Sequence, residues 1–324
     1  MLERLIMSSW YGGFQWTRFF WPLSLLFSYV VKNKREQYLK KDKVHNTKPV
    51  VVVGNITVGG TGKTPLVQAL VTFLQKNGYR PGIISRGYGA QIKEFPHLIS
   101  SSDTCSDVGD EPFMLAKSLN VPVVIDPKRR CALEFISELD VDVVLSDDGM
   151  QHYDLPRDLE ICVLDGHRLL GNGQLMPVGP LREPVSRLKE VDMVVHSGKS
   201  GGDDWFEFVP VCWVNVKTGT ALALNKLRIE EGALAIAGIG NPQKFEKTLQ
   251  SLSIYCPLKA FPDHYLYESS DFLEMKGQVL MTHKDAVKIQ SFAHDNMWFL
   301  KIEAGLSSAF LENFLQKLKN CSEN

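Results

Sequence analysis

Residues 50–64 constrain this chain more than any other stretch. Val50-Val51-Val52-Val53 is a run of four β-branched residues, and Gly54-Asn55-Ile56-Thr57-Val58-Gly59-Gly60-Thr61-Gly62-Lys63-Thr64 follows at once, opening a helical stretch to about Lys76. A strand with no polar alternation is covered on both faces, which points to a parallel sheet between helices. A glycine turn between such a strand and a helix amino terminus lets backbone N–H groups close on phosphate. The cradle so defined is Thr57, Val58, Gly59, Gly60, Thr61, Gly62, Lys63 and Thr64. Lys63 is placed to reach the β- and γ-phosphates of a nucleoside triphosphate, and the Thr64 hydroxyl to hold Mg²⁺. The spacing departs from the strict G-x-x-x-x-G-K-[ST], because Thr57 stands at the first glycine position and Gly59-Gly60 lies inside it.

Further short apolar runs alternate with helix-like stretches at Gly82–Ser85, Val121–Ile125, Val141–Leu145, Ile161–Leu164 and Met193–Val195. The expected fold is α/β, with a doubly wound, mostly parallel sheet of the P-loop NTPase kind. Runs at Trp213–Val216, Ala233–Ala237, Val279–Met281 and Trp298–Ile302 flank helical stretches near Gln243–Leu252, Lys284–Phe292 and Ser307–Leu318, a second, smaller α/β unit. The expected division is 1–45 for an amino-terminal segment, 46–218 for the core and 219–324 for the smaller unit, with a polar loop near 197–204. A length of 324 residues suits one large domain or two ordinary ones.

Composition excludes several classes. Lys+Arg total 36 against Asp+Glu 37, so there is no general basic footprint and no nucleic acid is expected as partner. The six cysteines (105, 131, 162, 212, 256 and 321) include no C-x-x-C pair, which leaves neither a zinc cage nor a disulfide framework. Nothing calls for an obligatory protein partner.

The amino end differs from the rest. Residues 10–31 hold three Trp, four Phe and two Tyr, and Lys32–Lys48 then carries seven Lys/Arg against two acids. The apolar core Phe19–Val31 is 13 residues, short of the roughly 20 needed to span a bilayer. Aromatics beside cations suit an amphipathic helix lying in the membrane interface. The competing reading is a first helix packed on its own domain.

Three acidic or basic constellations sit at expected strand ends. Val143-Val144-Leu145-Ser146-Asp147-Asp148-Gly149 puts two carboxylates at the carboxyl end of a buried strand, where open α/β sheets bind ligand and where Mg²⁺ finds its second anchor. Asp110-Glu111-Pro112 is a second acidic pair, readable also as a helix amino-terminal cap. Arg86, in Ser85-Arg86-Gly87-Tyr88-Gly89, either holds a phosphate or pairs with a carboxylate. Arg182, in a rigid Pro-rich segment, is suited to clamp a substrate phosphate. A lone histidine such as His264 is more often structural than catalytic.

Taken in order, GNITVGGTGKT, SRGYG, VGDEP, DDGMQH, LMPVGPLRE, GIGNPQKF, FPDH and MTHKDAVK resemble the tetraacyldisaccharide 4′-kinase family over about residues 10–290. The resemblance implies transfer of the ATP γ-phosphate to the 4′-hydroxyl of an acylated glucosamine disaccharide 1-phosphate, forming lipid IVA in lipid A (lipopolysaccharide) biosynthesis. It places the work at the cytoplasmic face of the bacterial inner membrane, with the membrane surface and the lipid as partners, and ATP and Mg²⁺ as cofactors. It implies Lys63 and Thr64 as phosphate and Mg²⁺ residues and Asp147, Asp148 and Glu111 as metal carboxylates. Asp110 is implied as the residue that takes the hydroxyl proton, His264 as its partner, and Arg86, Gln151 and Arg182 as substrate residues. One position departs: the family's T-E-K-D-A-V-K has His283 in place of Glu here.

The rival from another class is a membrane-bound partitioning or positioning ATPase, which shares the Gly-Gly-x-Gly-Lys-Thr loop and a membrane helix. Its loop carries an early Lys where this chain has Val58. A guanine switch needs N/T-K-x-D, and Thr282-His283-Lys284-Asp285 sets the Lys one place late.

Overall fold

The computed structural model describes residues 2–40, 46–198, 204–275 and 277–322. Lys41 and Lys43 of the basic segment, and most of the loop expected near 197–204, lie outside them. Strands β1 (Val50–Gly54), β2 (Pro81–Ser85), β3 (His97–Leu98), β4 (Val123–Ile125), β5 (Val143–Asp147), β6 (Leu159–Asp165) and β7 (Met193–Ser197) form the first half of a sheet. Strands β8 (Trp205–Asn215), β9 (Ala221–Ala223), β10 (Leu234–Ala237), β11 (Leu258–Ala260), β12 (Val279–Thr282) and β13 (Met297–Leu306) form the second. The order is β11-β10-β12-β13-β8-β7-β6-β1-β5-β2-β4-β3, with β9 on β8, so one sheet runs through both halves. Antiparallel pairs occur only at β3–β4, β8–β9 and β8–β13 among the described strands.

Side chains alternate across the sheet, and two helical layers cover it. On β1, Val51 and Val53 join Leu66, Leu70 and Leu74 of helix α3 (Lys63–Lys76), counting α1 (Leu2–Tyr11) and α2 (Trp21–Leu39) before it. Val50 and Val52 turn the other way, toward Ala132, Leu133 and Ile136. Every residue of β1 is buried, which is why the sequence shows no alternation there. The short helix α4 (Cys105–Val108) leads into α5 (Asp110–Leu119), and α6 (Arg129–Ser137) supplies that second face. In the second half, α7 (Pro242–Ser251) brings Phe245 and Leu249 onto one face, and α8 (His283–Ile289) brings Ala286 and Ile289 onto the other.

Two features differ from the sequence expectation. Of the run Trp213–Val216, the first three residues are the end of β8, which spans 11 residues from Trp205 to Asn215. Glu207 and Pro210 obscure its first half, and Pro210 sits beside the β8–β13 register shift, where a ladder tolerates proline. Residues 219–324 were expected as the smaller unit, yet α9 (Ser308–Ser322) leaves it. Phe310, Phe314 and Leu318 pack with Leu66 and Leu70 on the first half.

At the amino end, Pro22 opens α2 instead of breaking it, since a first-turn proline gives up no helical hydrogen bond. Trp10, Thr17 and Ser24 of this region bond to the protein. The Thr17 hydroxyl donates to the Val178 carbonyl at 2.7 Å, the Ser24 hydroxyl to Leu175 at 3.0 Å and the Trp10 indole to Pro177 at 3.1 Å. Phe14, Phe19, Trp21, Leu26 and Tyr29 point outward, with Phe19 87% exposed. No helix among the described residues is long and apolar enough to cross a membrane.

Candidate active site

The glycine loop closes β1 onto α3 as the sequence requires. Gly62 has φ 91°, and a Cβ there would sit 2.7 Å from the Phe208 ring, so the conformation and the neighbour both demand glycine. The Pro-rich segment braces the other arm: the Val58 N–H donates to Pro180 at 2.8 Å and the Arg182 N–H to Ile56 at 2.7 Å. Lys63 Nζ lies 3.3 Å from Asn55 Oδ1 and 3.4 Å from Asp148 Oδ1. The Thr64 hydroxyl donates to Asp147 Oδ2 at 3.3 Å. Arg182 lies 3.6 Å from Asp148 Oδ2 and donates to the Gln151 amide oxygen at 3.3 Å. Gln151 donates in turn to Glu183 at 2.7 Å and to the Asn55 carbonyl at 2.9 Å. Residues from three separate motifs thus meet at the carboxyl ends of β1 and β5.

Asp147 is fully enclosed, and burial first, then Glu111 and Asp148, push its carboxyl up to about 7. Its Oδ1 has no hydrogen-bond partner among the described residues. That is the signature of a carboxylate short of a cation. Among the described residues no group of three or more His, Cys, Asp or Glu could hold a metal ion by itself. Mg²⁺ in nucleotide sites is held by one or two carboxylates together with phosphate oxygens, and Thr64 with Asp147 fits that habit. Glu111 is instead 3.2 Å from Lys284.

A second cluster forms where α5 and α8 meet. Gly109 (φ 90°) turns the chain so tightly that a Cβ would strike the Tyr88 carbonyl. Asp110 then starts α5, buried, its Oδ1 accepting the Glu111 N–H at 2.9 Å. Around Oδ2 stand His264 Nδ1 at 2.9 Å, Lys288 at 3.4 Å and Lys284 at 3.6 Å. Neither ammonium group gives Oδ2 a directed hydrogen bond, and His264 Nδ1 is the donor that faces it. Burial favours the neutral acid, but His264 and the two ammonium groups outweigh it and hold Asp110 well below the usual carboxylate range. His264 is raised, chiefly by Asp110. It sits at φ 59° with the Tyr88 ring 5.2 Å away, edge-on. The 3.3 Å approach of Lys284 to Nε2 requires that nitrogen to accept, which places a proton on Nδ1, toward Asp110.

The structure therefore brings together Lys63, Thr64, Asp147, Asp148, Gln151 and Arg182, and separately Asp110, Glu111 and His264. The two clusters adjoin, since the Glu111 charge is felt at Asp147. Arg86 is exposed and pairs with no carboxylate among the described residues. Sequence reasoning missed Arg129, a guanidinium only 3% exposed beneath the acidic pair, which donates to the carbonyls of Asp126 (3.1 Å) and Asp147 (3.4 Å). Burial pushes it down to about 10. It also missed Lys288, whose signal was the i, i+4 lysine spacing in K-D-A-V-K. His283, the departure from the family pattern, is half-buried and stacks flat on Phe299 at 4.4 Å, where it feels the charge of Lys301.

Comparison with known proteins gives the family. Residues 16–319 match the family described as Tetraacyldisaccharide-1-P 4′-kinase. A tetraacyldisaccharide 4′-kinase of Pseudoalteromonas atlantica is 44% identical over 308 residues, covering 92% of this chain and 99% of that one. That of Alcanivorax borkumensis is 42% identical over 325 residues, covering 98% of each. A crystal structure of "apo" form LpxK from Aquifex aeolicus in complex with ATP superposes with a TM-score of 0.77 at 28% identity, over 93% of this chain and 99% of that one. With the family match and the relatives both running over nearly the whole length, this chain belongs to the tetraacyldisaccharide 4′-kinase family.

Proposed function

We propose that this chain transfers the γ-phosphoryl group of ATP to the 4′-hydroxyl of an acylated glucosamine disaccharide 1-phosphate, forming lipid IVA in lipid A biosynthesis at the cytoplasmic face of the inner membrane. The supporting observation is the buried carboxylate of Asp110, whose Oδ2 is 2.9 Å from His264 Nδ1, in a cluster whose Glu111 charge is felt at Asp147 beside the phosphate loop. The acceptor oxygen bonds to the γ-phosphorus as the bond to the β–γ bridging oxygen breaks, and ADP leaves. The hydroxyl proton passes to Asp110 Oδ2. A carboxylate of low basicity suffices, because the proton becomes acidic only as the new O–P bond forms. His264 orients Asp110 through Nδ1. Lys63 stabilises charge on the migrating group, where fixed electrostatics supply most of the catalysis. Arg86, Gln151 and Arg182 hold the substrate. Thr64, Asp147 and Asp148 would hold Mg²⁺, which when bound neutralises β- and γ-phosphate charge.

Core residues 46–218 carry the nucleotide side and the unit from 219 carries His264, so closure of one on the other completes the site. Lys244 of α7 and Asp165, 2.6 Å apart, tie the two sides together. The outward Phe19, Trp21, Leu26 and Tyr29 enter the lipid interface, and exposed Lys32, Lys34 and Lys40 meet anionic headgroups.

Phosphate transfer from labelled ATP to the acylated disaccharide tests the reading. Asp110→Ala and His264→Ala should each lower kcat strongly with ATP binding retained. The double variant should be little worse than the poorer single, as for residues of one catalytic unit. Multiplicative losses would refute the pairing, and ATP turnover stimulated by a protein partner but not by acceptor would refute the kinase.

A further inference from the structure

Helix α8 sets Lys284 and Lys288 one turn apart, and both ammonium groups converge on one atom, Asp110 Oδ2. Their surroundings differ. Lys284 is shared among Glu111 (3.2 Å), Asp263 (3.4 Å) and His264 (3.3 Å). Lys288 has a side chain only 4% exposed, and its Nζ makes no hydrogen bond among the described residues. The groups facing it are Asp110, Asp285, the Cys105 thiol and the Tyr267 ring, whose centroid is 5.9 Å away. Asp285 is already committed: Oδ2 to the Thr282 hydroxyl at 2.6 Å, Oδ1 to the Tyr267 hydroxyl at 3.0 Å and the Gly238 N–H at 3.1 Å.

A buried ammonium with no hydrogen bond is costly unless an opposite charge matches it. Here the match is Asp110, itself buried and faced by His264, Lys284 and Lys288. The Glu111 N–H fixes Oδ1 and Lys288 attracts Oδ2, so the carboxylate plane is set from both ends. Because Lys288 attracts without donating a directed hydrogen bond, the lone pair of Oδ2 that does not face His264 Nδ1 stays open to an incoming hydroxyl.

We propose that Lys288 is a positioning residue for phosphoryl transfer, pinning Asp110 Oδ2 from beneath while leaving its acceptor capacity free. The proposal rests on the reading of Asp110 as the proton acceptor. A displaced reactive group costs up to about 10²-fold in rate. Lys288→Met in the full chain should therefore lower kcat roughly 10- to 100-fold, leaving the acceptor KM and ATP affinity within about twofold. Lys288→Arg, which keeps the charge, should recover most of the loss. In an Asp110→Asn background the same Lys288→Met should cost less than about threefold, because its target is already gone. Should Lys288→Met not fold, Lys288→Gln carries the same expectations. An equal loss in both backgrounds, or a raised KM with kcat intact, would overturn the positioning role. Near-normal turnover by Asp110→Asn alone would overturn the underlying reading instead, and the inference with it.

Discussion

Arg187 offers the sharpest test of what holds the site's floor in place. Its guanidinium is 2% exposed. One Nη2 reaches both oxygens of Glu160 at 2.6 and 2.5 Å, Nε donates to Glu183 at 3.2 Å, and Glu190 lies 3.6 Å from Nη1. Arg187→Met keeps the apolar stem and removes the charge. Glu160 retains Arg157 at 2.7 Å, but Glu183 loses its one cation among the described residues and keeps only Tyr153 (2.8 Å) and Gln151 (2.7 Å). Breaking a buried pair from one side strands a charge and costs roughly 3–5 kcal/mol, about 10 °C in Tm for a chain of this size. Urea unfolding should show a lower midpoint with an unchanged slope. Because the penalty is the stranded charge and not the lost bond, Glu183→Gln in the same background should restore part of it. The exposed pairs of Arg80 with Asp140 and Asp142 make the control, and Arg80→Ala should move the midpoint immeasurably. A loss below about 1 kcal/mol for Arg187→Met, or no recovery with Glu183→Gln, would refute the reasoning.

Lys63→Ala should reduce turnover roughly 10²-fold or more, by removing a cation from the migrating phosphoryl group, and near-normal steady-state rates would sink the loop assignment. Burial pushes His283 down to about 4 from 6.5, so it stays neutral in the folded state while the unfolded chain takes up a proton. Its contribution is complete above pH 6.5 and fades by about 3 kcal/mol toward pH 4. His283→Phe keeps the stack on Phe299 and should flatten that part of the pH–stability curve, whereas an unaltered slope in urea titrations at successive pH values would contradict it. Phe19→Ser with Leu26→Ser should weaken sedimentation with anionic vesicles and raise the acceptor KM, and salt should loosen wild-type attachment. Unchanged sedimentation by the folded variant would exclude these side chains from the interface.

The sequence by itself determined whatever depends on neighbours along the chain. Four successive valines require a strand covered on both faces, and the glycines after them require a loop that only a phosphate cradle explains. Asp147-Asp148 at a strand end and Asp110 at a helix start were legible for the same reason: a motif's local geometry is written in its spacing. The tertiary structure alone decided what depends on residues far apart. That Asp110 and His264 stand 2.9 Å apart follows from one sheet continuing through β8 and β13, a seam half hidden by Glu207 and Pro210. That α9 returns to cover α3 has no local signal, because an amphipathic helix records that it buries a face and not against what. Arg129 and Lys288 look in sequence like ordinary surface cations. They are enclosed because Asp147 and Asp148, for Arg129, and Asp110, for Lys288, arrive from other elements to compensate their charge.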